Sequence, residues 1–145
     1  MSIGQLCSRV VATATPEETI AAGAARMAEF GVGSLVAVNG DGKPEGILTD
    51  RDVALRVVGE GLIPSGTLLS QVMSRPVRTL DEATPLEEAL GTMEKASIRR
   101  IVVTGGEGTL VGIFTLDDAL ELISREVTSI GRVMEKQGQS VMSGS

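Results

Sequence analysis

Two short stretches of the chain hold the residue types that could bind a ligand. Residues 46–52 (GILTDRD) and 112–118 (GIFTLDD) share the pattern Gly-Ile-x-Thr-x-x-Asp. Each stretch follows an apolar run and starts a helical pattern, so a hydroxyl, a carboxylate and free helix-start N–H groups meet at one turn. This mixture suits a ribose beside a phosphate, because the carboxylate accepts from sugar hydroxyls and the N–H groups face the anion.

The same residues also fit a simpler role. Thr49 and Asp52 in the first stretch, and Thr115 and Asp118 in the second, have the spacing of a capping box. A capping box stabilises the start of a helix without any ligand. For one stretch alone the capping interpretation is favoured, and the repetition of the pattern shifts the balance towards a binding role.

The chain contains an internal duplication. Compared with itself, the sequence aligns without gaps at an offset of 66 residues, and a fixed offset of this kind indicates a repeated structural unit. The matched pairs include Met27 with Met93, Gly46 with Gly112, Thr49 with Thr115 and Asp52 with Asp118. Chance does not keep glycines, a helical stripe and a motif in a single ungapped register.

Each copy has the predicted element order β-α-β-β-α, which is typical of the α/β (α+β) class. We predict strands at 10–13, 35–38, 45–48, 76–79, 101–104 and 110–114, and helices at 50–58, at 69–73 and from 116 onward. A longer helix in each copy follows Thr15-Pro16 or Thr84-Pro85, which we interpret as Thr caps with Pro at the first helical position. These two caps are three residues out of register, so the two helices are expected to begin one turn apart.

The chain divides into a first repeat with its linker (1–66), a second repeat with a C-terminal helix (67–136) and a flexible tail (137–145). The C-terminal helix carries apolar residues at 3-4-3-4 spacing, a heptad-like stripe: Leu120, Ile123, Val127, Ile130 and Met134. This stripe either covers the core of its own domain or forms a subunit contact, and the sequence favours neither.

Composition excludes several function classes. The net charge of −6, with two Phe and neither Trp nor Tyr, argues against nucleic-acid binding, which needs a basic face and stacking platforms. The absence of His removes His-dependent triads and most zinc sites. Because Cys7 is the only cysteine, we expect no internal disulfide and a reducing, cytoplasmic setting. We find no signal peptide and no apolar run of membrane-spanning length, so we expect no membrane partner.

An enzyme is the least favoured function class. Four carboxylates near the two motifs could hold a magnesium ion: Asp50, Asp52, Asp117 and Asp118. Adjacent carboxylates at a helix start are more often solvated charges that suit the helix dipole. Since no motif positions a nucleophile, we predict no catalytic residues, no metal site and no enzymatic activity.

The chain resembles a tandem pair of CBS domains, also called a Bateman module. The resemblance rests on the two Gly-Ile-x-Thr-x-x-Asp turns and on the segments that lead into the central strands, GVGSLV at 31–36 and SIRRIV at 97–102. VMSRPV at 72–77 is similar to the usual opening of such a repeat. The resemblance covers about residues 3–125 and implies two halves that pack sheet to sheet about a pseudo-twofold axis, with two clefts between them.

The resemblance also implies a ligand. Family members bind AMP, ADP or ATP in these clefts, and some bind S-adenosylmethionine. By this likeness Asp52 and Asp118 would hold ribose hydroxyls, while Thr49 and Thr115 would hold ribose or phosphate.

Charged residues near the clefts differ between the copies. Arg99 and Arg100 occupy the segment where family members place basic phosphate contacts, whereas the matching Gly33 and Ser34 carry no charge. Two unequal clefts are therefore expected. Arg51, inside the first motif, is either a further phosphate contact or a solvated side chain at a helix start.

We therefore expect a small stand-alone regulatory protein that binds AMP, ADP or ATP without a metal and signals to a separate, unidentified partner protein. The resemblance also implies a homodimer. Adenine would lie among aliphatic side chains, so micromolar affinity is expected. The alternatives are a module that binds S-adenosylmethionine and a ligand-free dimerisation scaffold whose Thr-x-x-Asp turns are caps only.

Overall fold

Two small sheets form the framework of the protein. The computed structural model describes residues 1–143, with side chains described as far as residue 139. The strands are β1 (Thr13–Ala14), β2 (Ser34–Val38), β3 (Pro44–Thr49), β4 (Thr79–Asp81), β5 (Arg100–Thr104) and β6 (Leu110–Thr115). Within the described residues the sheets have the orders β1-β2-β3 and β4-β5-β6, and in both the first strand pairs parallel and the third antiparallel with the central strand.

Helices complete each repeat. They are α1 (Ile3–Leu6), α2 (Ile20–Phe30), α3 (Asp50–Asp52), α4 (Leu69–Val72), α5 (Leu86–Ala96) and α6 (Leu116–Ser143). A π-helix over Val53–Val58 continues α3, and Pro64–Gly66 forms a 3-10 turn in the connection between the repeats. The predicted α/β class and tandem β-α-β-β-α order are confirmed.

The hairpin turns follow from their residue types. Asn39 turns its side-chain carbonyl onto its own loop and accepts from the backbone N–H groups of Asp41 at 2.9 Å and Lys43 at 3.1 Å. Gly42 and its counterpart Gly108 have φ values of 75° and 78°, a conformation that favours glycine. These turns bring each third strand back alongside its central strand.

The predicted starts of α2 and α5 were wrong. The two helices begin at Ile20 and Leu86, in register at the offset of the duplication. Thr15 does not cap α2; it closes a turn with Glu18, whose carboxylate accepts from the Thr15 backbone N–H at 2.7 Å. Thr19 is the cap, because its Oγ1 accepts from the backbone N–H of Ala22 at 3.2 Å.

In the second repeat, Thr84 is not the cap either. Pro85 occupies the position before α5 and makes no side-chain capping bond. The carbonyl of Thr84 instead accepts from the backbone N–H of Ile3 at 2.9 Å. The residues before α5 therefore hold the N-terminal helix rather than cap their own.

The lead-in helices of the two repeats are exchanged. Ile3 of α1 is fully buried in the core of the second repeat with Phe114. Leu69 of α4 is fully buried in the core of the first repeat with Leu48. Each core is thus completed by a segment from the other side of the boundary between the repeats, and this exchange ties the two halves together.

The motif glycines admit the exchanged segments. A Cβ at Gly46 would lie 2.6 Å from Met73 Sδ, and a Cβ at Gly112 would lie 2.5 Å from the carbonyl oxygen of Ser8 and 2.8 Å from Cys7 Sγ. Burial raises the pKa of the Cys7 thiol, as expected for a small packed side chain. Both glycines are required because another backbone segment or side chain occupies the space of a Cβ.

Helix α6 extends well beyond the second sheet. It reaches Ser143, so residues 137–143, predicted as a frayed tail, are helical; residues 144–145 lie outside the described part of the chain. The apolar stripe does not cover the core of its own domain, since its side chains are more than half exposed. Among residues 1–143, no helix is both long and apolar enough to cross a membrane.

Candidate functional site

Both motif turns are closed by reciprocal hydrogen bonds. In the first repeat the backbone N–H of Thr49 donates to Asp52 Oδ2 at 2.9 Å, and the backbone N–H of Asp52 donates to Thr49 Oγ1 at 3.1 Å. In the second repeat the same two bonds join Thr115 and Asp118, at 2.8 and 3.2 Å. The capping-box geometry is therefore present in both copies.

The two carboxylates differ in their surroundings. Asp52 Oδ1 lies 3.9 Å from Arg56 Nε, and Arg56 is anchored because its Nη1 donates to the carbonyl of Val72 at 2.8 Å. For Asp118, no hydrogen bond or ion pair to Oδ1 occurs within the described residues. Each carboxylate uses one oxygen for its cap and keeps acceptor capacity for other donors.

A cleft of about 490 Å³ opens between the first motif and the second repeat. Thr49 and Arg51 line it from one side. The other residues around it are Ile47, Ser74, Pro76, Val77, Arg78, Ala96, Ser97, Ile98, Arg99, Arg100 and Val102. Its wall therefore combines aliphatic surface with one threonine and four arginines.

The arginines concentrate positive charge in a chain of net charge −6. Arg99 Nη2 lies 3.8 Å from Asp117 Oδ1, but both side chains are more than two-thirds exposed, so this contact holds the guanidinium weakly. Arg100 reaches the first repeat, where a Cβ at Gly33 would lie 3.6 Å from its Nη2 and 3.2 Å from Asp50 Oδ2. The cleft is suited to an anion.

The corresponding surface of the first repeat is different. A smaller pocket of about 340 Å³ is lined by Val10, Val11, Ala12, Thr13, Arg26, Phe30 and Val32. The guanidinium of Arg26 is already engaged, donating to Glu18 Oε2 at 3.0 Å and to the Thr13 carbonyl at 2.8 Å. This pocket is therefore mainly apolar.

The duplication explains the contrast in charge. At the offset of 66 residues, the four cleft arginines correspond to uncharged or acidic residues: Arg51 to Asp117, Arg78 to Ala12, Arg99 to Gly33, and Arg100 to Ser34. The two surfaces share a backbone plan and differ in the side chains that could meet phosphate.

The cleft brings together four of the seven residues predicted as the binding site: Thr49, Arg51, Arg99 and Arg100. Asp52 lies on the same turn but is not among the lining residues, and neither Thr115 nor Asp118 lines this cleft or the apolar pocket. Sequence reasoning missed Arg78, although the self-alignment pairs it with the uncharged Ala12.

The carboxylates weighed as a magnesium site do not assemble. Within the described residues, no group of three or more His, Cys, Asp or Glu side chains is placed to hold a metal ion. Asp117 is strongly exposed and directed towards Arg99. The acidic residues at the helix starts thus do not form a metal cluster in the described part of the chain.

Fold and motif define the class of protein. The chain belongs to the CBS domain family, whose pattern matches it twice, over residues 3–59 and 69–125. The resemblance drawn from the sequence is confirmed as a tandem CBS pair.

Individual relatives span most of the chain. A protein of Methanopyrus kandleri without an assigned function is 37% identical over 136 residues, which are 94% of this chain and 69% of that protein. A CBS domain-containing protein of Bacillus subtilis (strain 168) is 35% identical over 126 residues, 86% of this chain and 88% of the relative. A CBS domain protein from Pyrobaculum aerophilum, solved in complex with AMP, is 26% identical with a TM-score of 0.74, covering 86% of this chain and 99% of that one.

Proposed function

We propose that this protein is a regulatory module that binds an adenine nucleotide, AMP, ADP or ATP, in the arginine-lined cleft. It performs no chemistry of its own, needs no metal for binding, and signals nucleotide occupancy to a separate partner protein. The single cysteine suits a reducing, cytoplasmic setting.

The observation that carries this proposal is the concentration of four arginines in one cleft of an acidic chain. Guanidinium groups bind phosphate oxygens through charge-assisted hydrogen bonds, which are about twice as strong as neutral ones. The cleft volume of about 490 Å³ lies within the range typical of small-molecule sites. A phosphorylated ligand of nucleotide size therefore fits both the charge and the space.

The remaining lining residues suit the base and the sugar. Ile47, Val77 and Ile98 offer aliphatic surface to adenine, and no aromatic residue is among the residues lining this cleft. Ribose hydroxyls would donate to Asp52, whose ionised carboxylate has about four lone-pair positions and gives one to Thr49. Without a stacking partner for the base, micromolar affinity is expected.

The comparisons support an adenosine-type ligand, since the Pyrobaculum aerophilum relative was solved with AMP. S-Adenosylmethionine is the competing ligand. It has no phosphate and carries a positive sulfonium, so it would leave most of the cleft arginines without an anionic partner. The arginines therefore favour AMP, ADP or ATP.

One specific observation favours a second function, a scaffold without ligand. Both Thr–Asp pairs already close their turns as caps, so helix stability alone accounts for these residues. A scaffold does not account for the four arginines, and we rank it second.

A ligand panel distinguishes the two functions. Thermal unfolding is measured with AMP, ADP, ATP, S-adenosylmethionine and GTP, using an external dye because the chain has no Trp. At a hundredfold excess over Kd, a ligand stabilises the protein by about 2.7 kcal/mol, or about 5–10 °C for a chain of this size. We expect adenine nucleotides to give this shift, and failure of every adenosine compound at millimolar concentration would leave the scaffold.

The exchanged segments suggest how occupancy is transmitted. A nucleotide in the cleft would contact the first motif through Thr49 and the second repeat through Arg78 and Arg100. Binding would fix the relative position of the halves, and a ligand shifts such an equilibrium by its differential affinity for the two positions. A partner that contacts both halves could read this change.

A further inference from the structure

Helix α6 exposes an apolar stripe that nothing in its own chain covers. Every residue from 123 to 139 is exposed. The apolar side chains are 53–67% exposed, and they are Leu120, Ile123, Val127, Ile130, Val133 and Met134. A contiguous apolar surface of this kind marks an interaction site rather than an ordinary solvent face.

The spacing of the stripe identifies the kind of partner. Leu120, Ile123, Val127, Ile130 and Met134 alternate three and four residues apart. A repeat of 3.5 residues keeps a stripe facing a second helix along its length, which is the pattern of a coiled coil. Over these residues the stripe is about 21 Å long at 1.5 Å per residue.

The helix is poorly suited to stand alone. Gly131 and Gly138 interrupt it, and Val127, Thr128 and Ile130 are β-branched, all residues of lower helix propensity than Ala. A helix of this length without tertiary contacts is marginal in water. Packing of the stripe against another helix would supply the missing stabilisation.

Charge placement favours a second copy of the same chain. The positions beside the stripe hold mostly small or apolar residues, and Glu126 is the charged one nearest to it: Ala119, Ser124, Glu126, Gly131 and Val133. Self-pairing therefore brings no rows of like charge together. The basic side chains of Arg125, Arg132 and Lys136 lie on the opposite face, whereas a helix on an anionic membrane surface is rich in Lys and Arg along its polar face and boundary.

The available area also suits a helix pair. Full burial of one such side chain removes on the order of 60–120 Å² from water, so the six exposed side chains present several hundred Å². Two copies, with the small residues beside each stripe, approach the roughly 1,000 Å² that a specific interface needs. Most of the stripe lies beyond residue 125, where the match to the CBS domain family ends, so it is a feature of this chain rather than of the repeat.

We propose that α6 pairs with α6 of a second copy through this stripe, forming a two-stranded coiled coil that holds a homodimer together. The inference is independent of nucleotide binding. It also gives the predicted homodimer a defined contact surface.

The test uses matched double substitutions in the full chain. Val127→Glu/Ile130→Glu places two carboxylates in the stripe, and Thr128→Glu/Ser129→Glu places the same charge on the outer face. Sedimentation equilibrium between about 1 and 200 μM, the range of transient to stable association, gives the mass of each. We expect twice the 15.0 kDa chain mass for wild type and the outer-face control, and the chain mass for the stripe variant.

A second variant separates pairing from helix formation. Val127→Ala/Ile130→Ala raises helix propensity and removes the stripe contacts, so we expect at least a tenfold weaker dimer with helicity retained by circular dichroism. A wild-type chain that stays at the single-chain mass throughout would overturn the proposal. So would an Ala variant that dimerises as tightly as wild type, because the dimer would then use another surface.

Discussion

Thr49 and Asp52 satisfy each other: the Thr49 backbone N–H donates to Asp52 Oδ2 at 2.9 Å, and Thr49 Oγ1 accepts from the Asp52 backbone N–H at 3.1 Å. The bonds hold the carboxylate in one orientation beside the arginine-lined cleft. A cap and a binding group are therefore not exclusive alternatives here, because a pre-oriented carboxylate binds with less loss of side-chain freedom.

Replacement of Asp52 by Asn is predicted to separate the two roles. The Asn carbonyl can still accept from the Thr49 N–H, so the loss of stability should be no more than about 1 kcal/mol. The charge that receives ribose hydroxyls is lost, and hydrogen bonds to charged groups contribute about 1.5–3 kcal/mol each. We expect nucleotide affinity to fall at least tenfold, measured by isothermal titration calorimetry.

Asp118→Asn is the matched control, since Asp118 makes the same capping bonds at the other motif. Its effect on stability should be similar, while affinity at the arginine-lined cleft should be unchanged. Equal affinity in wild type and Asp52→Asn would contradict the ribose role of Asp52 and favour the scaffold.

The cleft arginines are predicted to discriminate by phosphate number. Arg99→Ala/Arg100→Ser removes two guanidinium groups and gives position 100 the residue found at Ser34 of the first repeat. We expect ATP affinity to fall tenfold or more and AMP affinity to fall less, because fewer phosphate oxygens lose a partner. Titration calorimetry with both nucleotides at low salt measures the difference.

Arg125→Ala/Arg132→Ala is the control, because it removes the same charge from the outer face of α6. It should leave both affinities unchanged at about 0.15 M salt, where distant surface charges are screened. An equal loss of ATP affinity in this control would mean that net charge, and not contact within the cleft, governs binding.

The duplication made most of the fold predictable. A single alignment at an offset of 66 residues placed the strands, the hairpin turns and the two motifs, because each depends on local residue pattern. The exchange of α1 and α4 was not predictable in the same way. The bond from Ile3 to Thr84 joins residues far apart in the chain, and no local pattern specifies such a contact.

The candidate site was only partly predictable for a related reason. Arg99 and Arg100 stood out against Gly33 and Ser34 in the self-alignment. Arg78 lies at the end of the exchanged segment, so its position at the cleft depends on that exchange. The capping error at Thr15 has a local cause, since Glu18 captures its N–H and the true cap is Thr19.

The motif glycines are predicted to differ in their tolerance of alanine. A Cβ at Gly112 would meet the backbone carbonyl of Ser8 at 2.5 Å, whereas a Cβ at Gly46 would meet the side chain of Met73. A flexible Met can move aside, but a paired backbone cannot. We expect Gly112→Ala to cost roughly 1–3 kcal/mol, as overpacking does, and Gly46→Ala to cost less.

Urea unfolding of both variants measures this difference. Gly106→Ala is a suitable control, because nothing lies within 4 Å of a Cβ at that position. The reverse order, with Gly46→Ala the more costly, would show that the Met73 contact is the more rigid of the two.

The Glu18–Arg26 pair is predicted to make stability depend on pH. The Arg26 guanidinium, which donates to both carboxylate oxygens, lowers the pKa of Glu18 below its usual 4.5. Because the folded pKa lies below the unfolded one, the stabilisation is complete above about pH 4.5 and is lost as pH falls through the folded pKa. Glu18→Gln should therefore be less stable than wild type at pH 7 by about 1 kcal/mol or less, the scale of a partly exposed pair.

The measurement is urea unfolding of wild type and Glu18→Gln at pH 7 and at several values below pH 4.5, with Glu17→Gln as control because Glu17 is exposed. The gap between wild type and Glu18→Gln should narrow as pH falls, since protonation of Glu18 removes the same charge in wild type. The Glu17→Gln variant should show no such convergence. A gap that is constant over this range would mean that Glu18 acts through its turn with Thr15 and not through its charge.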